Sequence, residues 1–512
     1  MKYQFLSSRF TVDGVVYIPV SPAERTCDIV DCIYDEAFSS FDISDKVTNM
    51  GIEMNVVNVN QYAFYDNKYI QDLTISNNGA IGDYAFYGCS YLATSAISNS
   101  SSIGQSAFQG CDSLLVMDIP NSVTSLGASA FQNCSALESV KIGTGIPSLQ
   151  ALVFSGCSSL SSISIPGNIS AIRDYAFQGC SSLAQVTLED AEVQTDNSIH
   201  FPDWTSSGQS YSYKQYTLSV VPGSVLSFDY TIDNGSLYIS LYGANVSHYQ
   251  NYYGSGEFRY EFQQEGNVTL ELSYSNYSGK SQASVTGITV VSPNALISIG
   301  SNGSNPLFAD CPLDSVYIGR NIWYNTSSSY GYSPFYRNAS LRTVTITDEE
   351  TEIGDNEFYG CTNLKNVTIG NGVTTIGDWA FSGCSSLDYF AFGSAVETIG
   401  KEAFSDCTAM TRIISHAVTP PVCGSQALDD INKWTCVLSV PEGNTAAYQQ
   451  ADQWKEFFFI NDDVSGVDVP STKDQPRVKD CYDLNGKQIS QPQRGLNIIR
   501  MSDGTTKKVV VR

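Results

Sequence analysis

One repeat dominates the chain. Phenylalanine stands at Phe64, Phe86, Phe108, Phe131, Phe154 and Phe177, in steps of 22 or 23, and resumes at Phe308, Phe335, Phe358, Phe381 and Phe404, in steps of 27, 23, 23 and 23. Three residues after each comes Cys or Asn: Asn67, Cys89, Cys111, Cys134, Cys157, Cys180, Cys311, Asn338, Cys361, Cys384 and Cys407. A Leu or near relative follows, then an alternating apolar pair such as Val140/Ile142 or Val344/Ile346. The unit reads roughly Ile-Gly-x-x-Ala-Phe-x-Gly-Cys-x-x-Leu-x-x-Val-x-Ile, and Ala37-Phe38 begins a degenerate twelfth copy. One such unit cannot bury its own apolar residues, so the copies must stack and bury them together. The expectation is an α/β-type solenoid with one short strand per coil, the Val-x-Ile segment, in a parallel sheet.

The period lies in the range of leucine-rich repeats. The Cys/Asn position of such a repeat points inward and hydrogen-bonds the backbone, Asn through its amide and Cys weakly through its thiol. Nine of the 14 cysteines occupy this ladder, and Cys-x-x-Cys occurs nowhere. Structural buried thiols are therefore expected, with no metal site and no cofactor. Cys27 and Cys32, five apart, are either a tight disulfide or two free thiols, and the state of Cys423 and Cys436 is open.

The period fails between Leu188 and Phe308. Residues 191–296 are rich in Tyr, Ser and Gly, and their apolar residues alternate with period two: Leu226/Phe228/Tyr230/Ile232, Leu237/Ile239/Leu241 and Val268/Leu270/Leu272/Tyr274. Turn signals such as Asp233-Asn234-Gly235 separate these runs. Short strands without helix signals predict an all-β sandwich or jelly-roll insertion. Its turn-rich stretches carry rings, of which Trp204, Tyr249, Tyr252 and Tyr253 are the candidate ligand-binding residues. They stack on a partner or pack the module against the solenoid. A second aromatic group, Trp323, Tyr324, Tyr330, Tyr332 and Tyr336, falls in the 27-residue coil.

The domains read as an N-terminal cap with a degenerate repeat (1–60), six repeats (61–190), the insertion (191–296), five repeats (297–415), a C-terminal cap (416–460), a polar linker (461–479) and a small β tail domain (480–512). The cap is expected to hold a short helix from about Thr445, with Tyr448, Trp454 and Phe457 covering the open core.

Ala130-Phe131-Gln132-Asn133-Cys134-Ser135-Ala136-Leu137 and Ala380-Phe381-Ser382-Gly383-Cys384-Ser385-Ser386-Leu387 closely resemble the bacterial leucine-rich repeat of BspA-type surface proteins. The resemblance covers about 61–190 and 296–415, and it implies an exported surface protein, several members of that family being adhesins. The insertion is similar to bacterial extracellular jelly-roll modules, many of them carbohydrate-binding or adhesive. Tyr482-Asp483-Leu484-Asn485-Gly486-Lys487, Arg494-Gly495-Leu496-Asn497-Ile498-Ile499 and Lys507-Lys508-Val509-Val510-Val511-Arg512 resemble the sorting-type C-terminal tail of Bacteroidetes exported proteins, which implies secretion and surface attachment. The first 30 residues show no signal peptide, as a trimmed mature chain would not.

Charge narrows the function classes. With 27 basic and 52 acidic residues the net charge is 27 − 52 = −25, which argues against nucleic acid and anionic lipid as partners. No run of 18 apolar residues spans a membrane. Only His200, His248 and His416 occur, none at metal-ligand spacing from another His or a Cys, and no Gly-x-Ser-x-Gly elbow is present. The reading is a non-enzymatic, exported binding or adhesion protein whose partner is a host extracellular protein or a glycan. The alternatives are a glycan-capture protein with a true carbohydrate-binding module, and a structural surface component without a specific ligand.

Overall fold

The computed structural model describes residues 9–21, 23–35, 39–190, 198–207, 211–220, 224–243, 246–262, 266–276, 282–291, 296–325, 333–462, 478–483, 487–489, 495–501 and 506–511. Ala37-Phe38 lies outside them. The repeats form a β-solenoid of stacked parallel strands. Each coil gives a longer strand on one side, such as Ser162–Ile165, Gln185–Leu188, Ser315–Ile318, Thr343–Ile346 and Asn366–Ile369, which pair in that order in parallel. A two-residue strand on the other side, such as Ala80–Ile81, Ser102–Ile103 and Ser125–Leu126, builds a second ladder.

Inside, the eleven phenylalanines form one continuous stack. Neighbouring ring centroids lie 4.8 Å apart at Phe64–Phe86 and 6.0 Å apart at Phe154–Phe177. The stack runs across the insertion, with Phe177 and Phe308 5.5 Å apart. Buried rings of this size supply most of the apolar burial that a single coil cannot achieve.

The expected α/β character is corrected. Among the described residues the helices are Thr445–Tyr448 and a 3-10 turn at Trp454–Glu456. The reason is local. Two residues before the phenylalanine the backbone is left-handed, as at Tyr84 (φ 57°), Ser106 (φ 53°) and Trp379 (φ 55°), and two residues after it Gly88, Gly110 and Gly383 also have positive φ. Left-handed residues recurring every few positions break any right-handed helical run, so the return segments are stacked turns.

At the N-terminal end Phe10–Val12, Val15–Ser21 and Thr26–Cys32 pair antiparallel, and Thr26–Cys32 joins Ile52–Val59 in parallel. Cys27 and Cys32 sit at opposite ends of one extended strand. Five residues at about 3.3 Å each separate them by roughly 16 Å, beyond the ~7 Å Cα limit for a disulfide. Both are buried and free, as is Cys436; Cys423 is free and partly exposed.

At the other end, Arg412–Ser415, Val437–Ser439 and Phe459–Asn461 continue the parallel ladder. Tyr448 and Trp454 are fully buried over the last coil. Trp454 donates its Nε1 proton to the Pro421 carbonyl at 2.8 Å, and the Tyr448 hydroxyl donates to the Ala417 carbonyl at 2.8 Å. The last residues form an antiparallel sheet of four strands, Gln488–Ile489, Val478–Tyr482, Gly495–Met501 and Thr506–Val511 in that order. Ile499 is buried there against Phe458, Phe459 and Ile489. Among the described residues no helix is long and apolar enough to cross a membrane.

The insertion is a second compact unit, Ala191–Ser298. One antiparallel sheet holds Ser198–His200 and Trp204–Ser207 against Gln282–Val291, followed by Val225–Ile232 and Ser255–Glu261. The other runs Tyr211–Val220, Gly266–Ser275, Ser236–Gly243, Val246–Tyr252. Alternate residues of both sheets, among them Leu226, Phe228, Leu237, Ile239, Leu270 and Val285, join one buried cluster. The unit thus has its own core, made by the period-two alternation of its strands.

Candidate functional site

The four candidate residues of the insertion separate into two pairs. Trp204 lies in a strand, paired with Val285, and is only 8% exposed within the core cluster. Its assignment to a ligand-facing turn is corrected: the ring is spent on packing. Tyr252 ends the strand Val246–Tyr252 on its inward side and packs edge-on against Tyr230 at 5.4 Å and Phe258 at 5.8 Å. Tyr249 and Tyr253 are open, 67% and 69% exposed.

Strand register brings Tyr249 onto a surface that spacing along the chain does not reveal. In the four-stranded sheet, Leu237, Ile239, Leu241, Leu270 and Leu272 face the core, so their neighbours face outward. Tyr213 is opposite Ser273, Ser273 opposite Tyr238, and Tyr238 opposite Asn251. One step along, Gln215 is opposite Glu271, Glu271 opposite Ser240, and Ser240 opposite Tyr249. Tyr242 stands one step further on the same side. Gln215 links the row, its Nε2 donating to Glu271 Oε2 at 2.6 Å and to the Tyr242 hydroxyl at 3.2 Å. The Ser273 hydroxyl donates to the other Glu271 oxygen at 3.3 Å.

The solenoid carries exposed tyrosines too, and several of them are self-occupied; Tyr91, 59% exposed, is not among the stacked ones. Tyr62 stacks on Tyr84 at 5.2 Å and Tyr65 on Tyr87 at 5.0 Å, with ring planes within 9°. Of the second aromatic group, Tyr324 is buried and Tyr336 stacks on Tyr359 at 5.0 Å. Tyr330 and Tyr332 lie outside the described residues, as does Tyr277. An open depression of ≈ 360 Å³ on the strand side of the solenoid is lined by Ala93, Ser95, Leu115 and Val116.

The ladder residues hold the coils together. Each thiol donates to the carbonyl of the phenylalanine one coil back: Cys89 to Phe64 at 3.1 Å, Cys134 to Phe108 at 3.1 Å, Cys180 to Phe154 at 3.2 Å and Cys407 to Phe381 at 3.2 Å. Asn338 does the same for Phe308 and also bonds the Cys311 carbonyl at 2.9 Å. Asn67 instead accepts from the amides of Tyr69 and Ile70 in its own turn. The bond therefore runs between coils more often than within the turn leaving the strand. Burial pushes the thiols of Cys89, Cys180 and Cys361 up to about 12, so the reactive thiolate is scarce at neutral pH. Alkylation of the native protein with peptide mapping should leave the ladder cysteines unlabelled until unfolding. Fast labelling at Cys134 or Cys157, or a disulfide between two rungs, would contradict the assignment.

One coil breaks the pattern. Glu350 stands where Val373 and Val396 stand in later coils, and Glu357 where Ala380 and Ala403 stand before the phenylalanine. Both are fully buried, and three of their four carboxyl oxygens have no hydrogen-bond partner. The fourth, Glu357 Oε2, accepts from the Gly354 amide at 2.7 Å. Tyr324 faces them and donates to the Asp355 carbonyl at 2.9 Å. Burial, with each carboxyl's neighbours, raises both acids, Glu357 to about 8. Among the described residues no three metal-ligating side chains stand together.

The sequence model described as the BspA type leucine-rich repeat region matches residues 28–116, 79–201 and 281–411. Similar solved structures include a leucine-rich repeat protein from Bacteroides ovatus, 18% identical, covering 87% of this chain and 98% of that one with a TM-score of 0.33. A leucine-rich cell surface protein from Faecalibacterium prausnitzii is 18% identical over 90% and 99% at 0.30. The pneumococcal vaccine antigen PcpA is 14% identical over 90% and 99% at 0.35. No curated protein matches the chain.

Proposed function

The chain belongs to the BspA-type leucine-rich-repeat family, and from that premise we propose that it is an exported surface protein that binds rather than catalyses. The solenoid is its scaffold, the insertion a β-sandwich recognition module, and the last residues a sorting-type tail for surface attachment. The partner is a host extracellular protein or a glycan. The observation that carries this reading is the continuity of the solenoid past the insertion. Gln185–Leu188 pairs directly with Ser315–Ile318 in unbroken register, and the phenylalanine stack does not skip a rung. A unit with its own core, looped out between consecutive coils, contributes nothing that the ladder needs. In this reading its role lies in the surface it presents.

The test is a glycan and matrix-protein array probed with the full chain and with a chain in which 191–297 is replaced by Gly-Ser-Gly. Binding should disappear with the insertion. Equal binding by both chains would place recognition on the solenoid, where the strand side near Leu115 and Val116 is the next candidate.

A further inference from the structure

We propose that the outward face of the insertion's four-stranded sheet, centred on Tyr213, Tyr238, Tyr242 and Tyr249, is a binding platform for an uncharged glycan chain. The inference rests on the reading of the insertion as the recognition module and names its surface and ligand class.

The chemistry of the face selects the ligand. Tyr213 is 59%, Tyr242 44% and Tyr249 67% exposed, and among the described residues none of Tyr238, Tyr242 and Tyr249 lies against another ring. Tyr213 has Tyr211 beside it at 6.4 Å, tilted by 31°, whereas Tyr62 and Tyr65 of the solenoid are stacked face to face on Tyr84 and Tyr87. Between the rings stand serine, threonine, glutamine and asparagine; among the described residues no aliphatic side chain and no Lys or Arg points outward from these four strands. The lack of aliphatic surface disfavours an apolar peptide or a lipid, which needs area to bury. The lack of cations disfavours phosphate, sulfate and uronate. The face bears one carboxylate, Glu271, in a chain of net charge −25. That carboxylate is engaged by Gln215 and Ser273, so a basic partner finds little here that the rest of the surface does not offer more strongly.

An uncharged polyhydroxylated chain fits what remains. Its C–H faces lie on tyrosine rings, and its hydroxyls exchange hydrogen bonds with the phenols, with the short hydroxyl and amide side chains and with the fixed Glu271 carboxylate. Tyr213 and Tyr249 lie on the two edge strands, three strand steps or about 14 Å apart. The platform is therefore long enough for several sugar units across the strands. It is also pre-formed, because Gln215 fixes both Glu271 and Tyr242 before any ligand arrives, which lowers the ordering cost of binding.

The experiment is affinity electrophoresis of the full chain in gels containing soluble neutral polysaccharides (xyloglucan, glucomannan, arabinoxylan, starch), with polygalacturonate and chondroitin sulfate as charged controls. The same gels run Tyr238→Ala/Tyr249→Ala, Tyr242→Phe, which keeps the ring, and the Gly-Ser-Gly chain lacking 191–297. Thermal melts establish that each variant is folded. Retardation by at least one neutral polymer is expected, about tenfold weaker or more in the double alanine variant, weakened less in Tyr242→Phe, which keeps the ring but loses the bond from Gln215, and absent without the insertion. Retention of full affinity by the folded double variant, while loss of the insertion abolishes binding, would overturn the platform and leave the proposed function standing. Undiminished binding without the insertion would overturn the proposed function itself. Binding only to the charged polymers, only to protein ligands, or to none of the neutral panel would overturn the ligand class.

Discussion

Replacing Glu350 by valine and Glu357 by alanine together should stabilise the chain at pH 8 by at least roughly 5 kcal/mol, the amount that the rise of the Glu357 acid alone, from 4.5 to about 8, supplies. Both substitutions restore the residue types that the next coils carry at these positions. In the folded coil the carboxyls are held protonated by desolvation, with Glu352 and Glu357 raising Glu350 further and Glu352 raising Glu357. In the unfolded chain they ionise near 4.5. A carboxyl whose folded pKa is raised contributes its full stability below the unfolded value and loses it as pH rises through the folded one. The parent should therefore lose stability progressively between about pH 4.5 and about pH 8, and the double variant should lose much less. Chemical denaturation at pH 4, 6 and 8 reads both. A parent profile no steeper than the variant's would mean the carboxyls are solvated or paired.

Arg320→Ala, in the first full coil after the insertion in sequence, should cost about 3–5 kcal/mol. The side chain is 1% exposed. Its guanidinium donates to the carbonyls of Gly167 and Ile169 at 2.8 and 2.7 Å, and of Pro166 and Ile165 at 3.0 and 3.5 Å. These belong to the coil on the far side of Gln185–Leu188, from which the insertion departs. The arginine thus spans the coil that lacks its own connecting turn and satisfies carbonyls that turn would otherwise neighbour. Burial lowers its pKa to about 10, leaving it charged at neutral pH. Arg342→Ala is the control: its pair with Asp314 at 2.6 Å is exposed and should be worth under about 1 kcal/mol. Equal melting of the two variants would refute the bridging role.

The periodic parts of this fold are legible from residue order alone. Phe, Cys and Val-x-Ile recur because each coil repeats one environment, and Leu237/Ile239/Leu241 alternate because a strand buries one side. The lack of helix is not legible in the sequence: two residues before the phenylalanine of most coils stands a left-handed residue that composition does not betray at Ser106 or Trp379. Trp204 was misplaced because a turn-rich neighbourhood says nothing about which strand partner a ring will meet. The tyrosine row is hidden in the residue order for the same reason, since Tyr213 and Tyr249 become neighbours of one face only through two intervening strands. Glu350 and Glu357 did leave a signal. Aligned with Val396 and Ala403 they are apolar positions carrying acid, yet Glu350 reads as part of an acidic surface run when taken with Asp348 and Glu349. Arg320 left none, because its partners lie two coils back.

The coils on either side of the insertion are consecutive rungs of one solenoid. In a normal coil five residues, 166–170, join the strand Ser162–Ile165 to Ala171–Ile172. The Gly300 amide bonds the Ile172 carbonyl at 2.7 Å, so Ser298 occupies the place of Ala171. Replacing 191–297 by Gly-Ser-Gly restores a five-residue join while keeping Glu189 and Asp190. Calorimetry of this shortened chain should show one cooperative solenoid transition with the parent's midpoint to within a few degrees. Loss of that transition, or its splitting into separate N-terminal and C-terminal halves, would contradict the account.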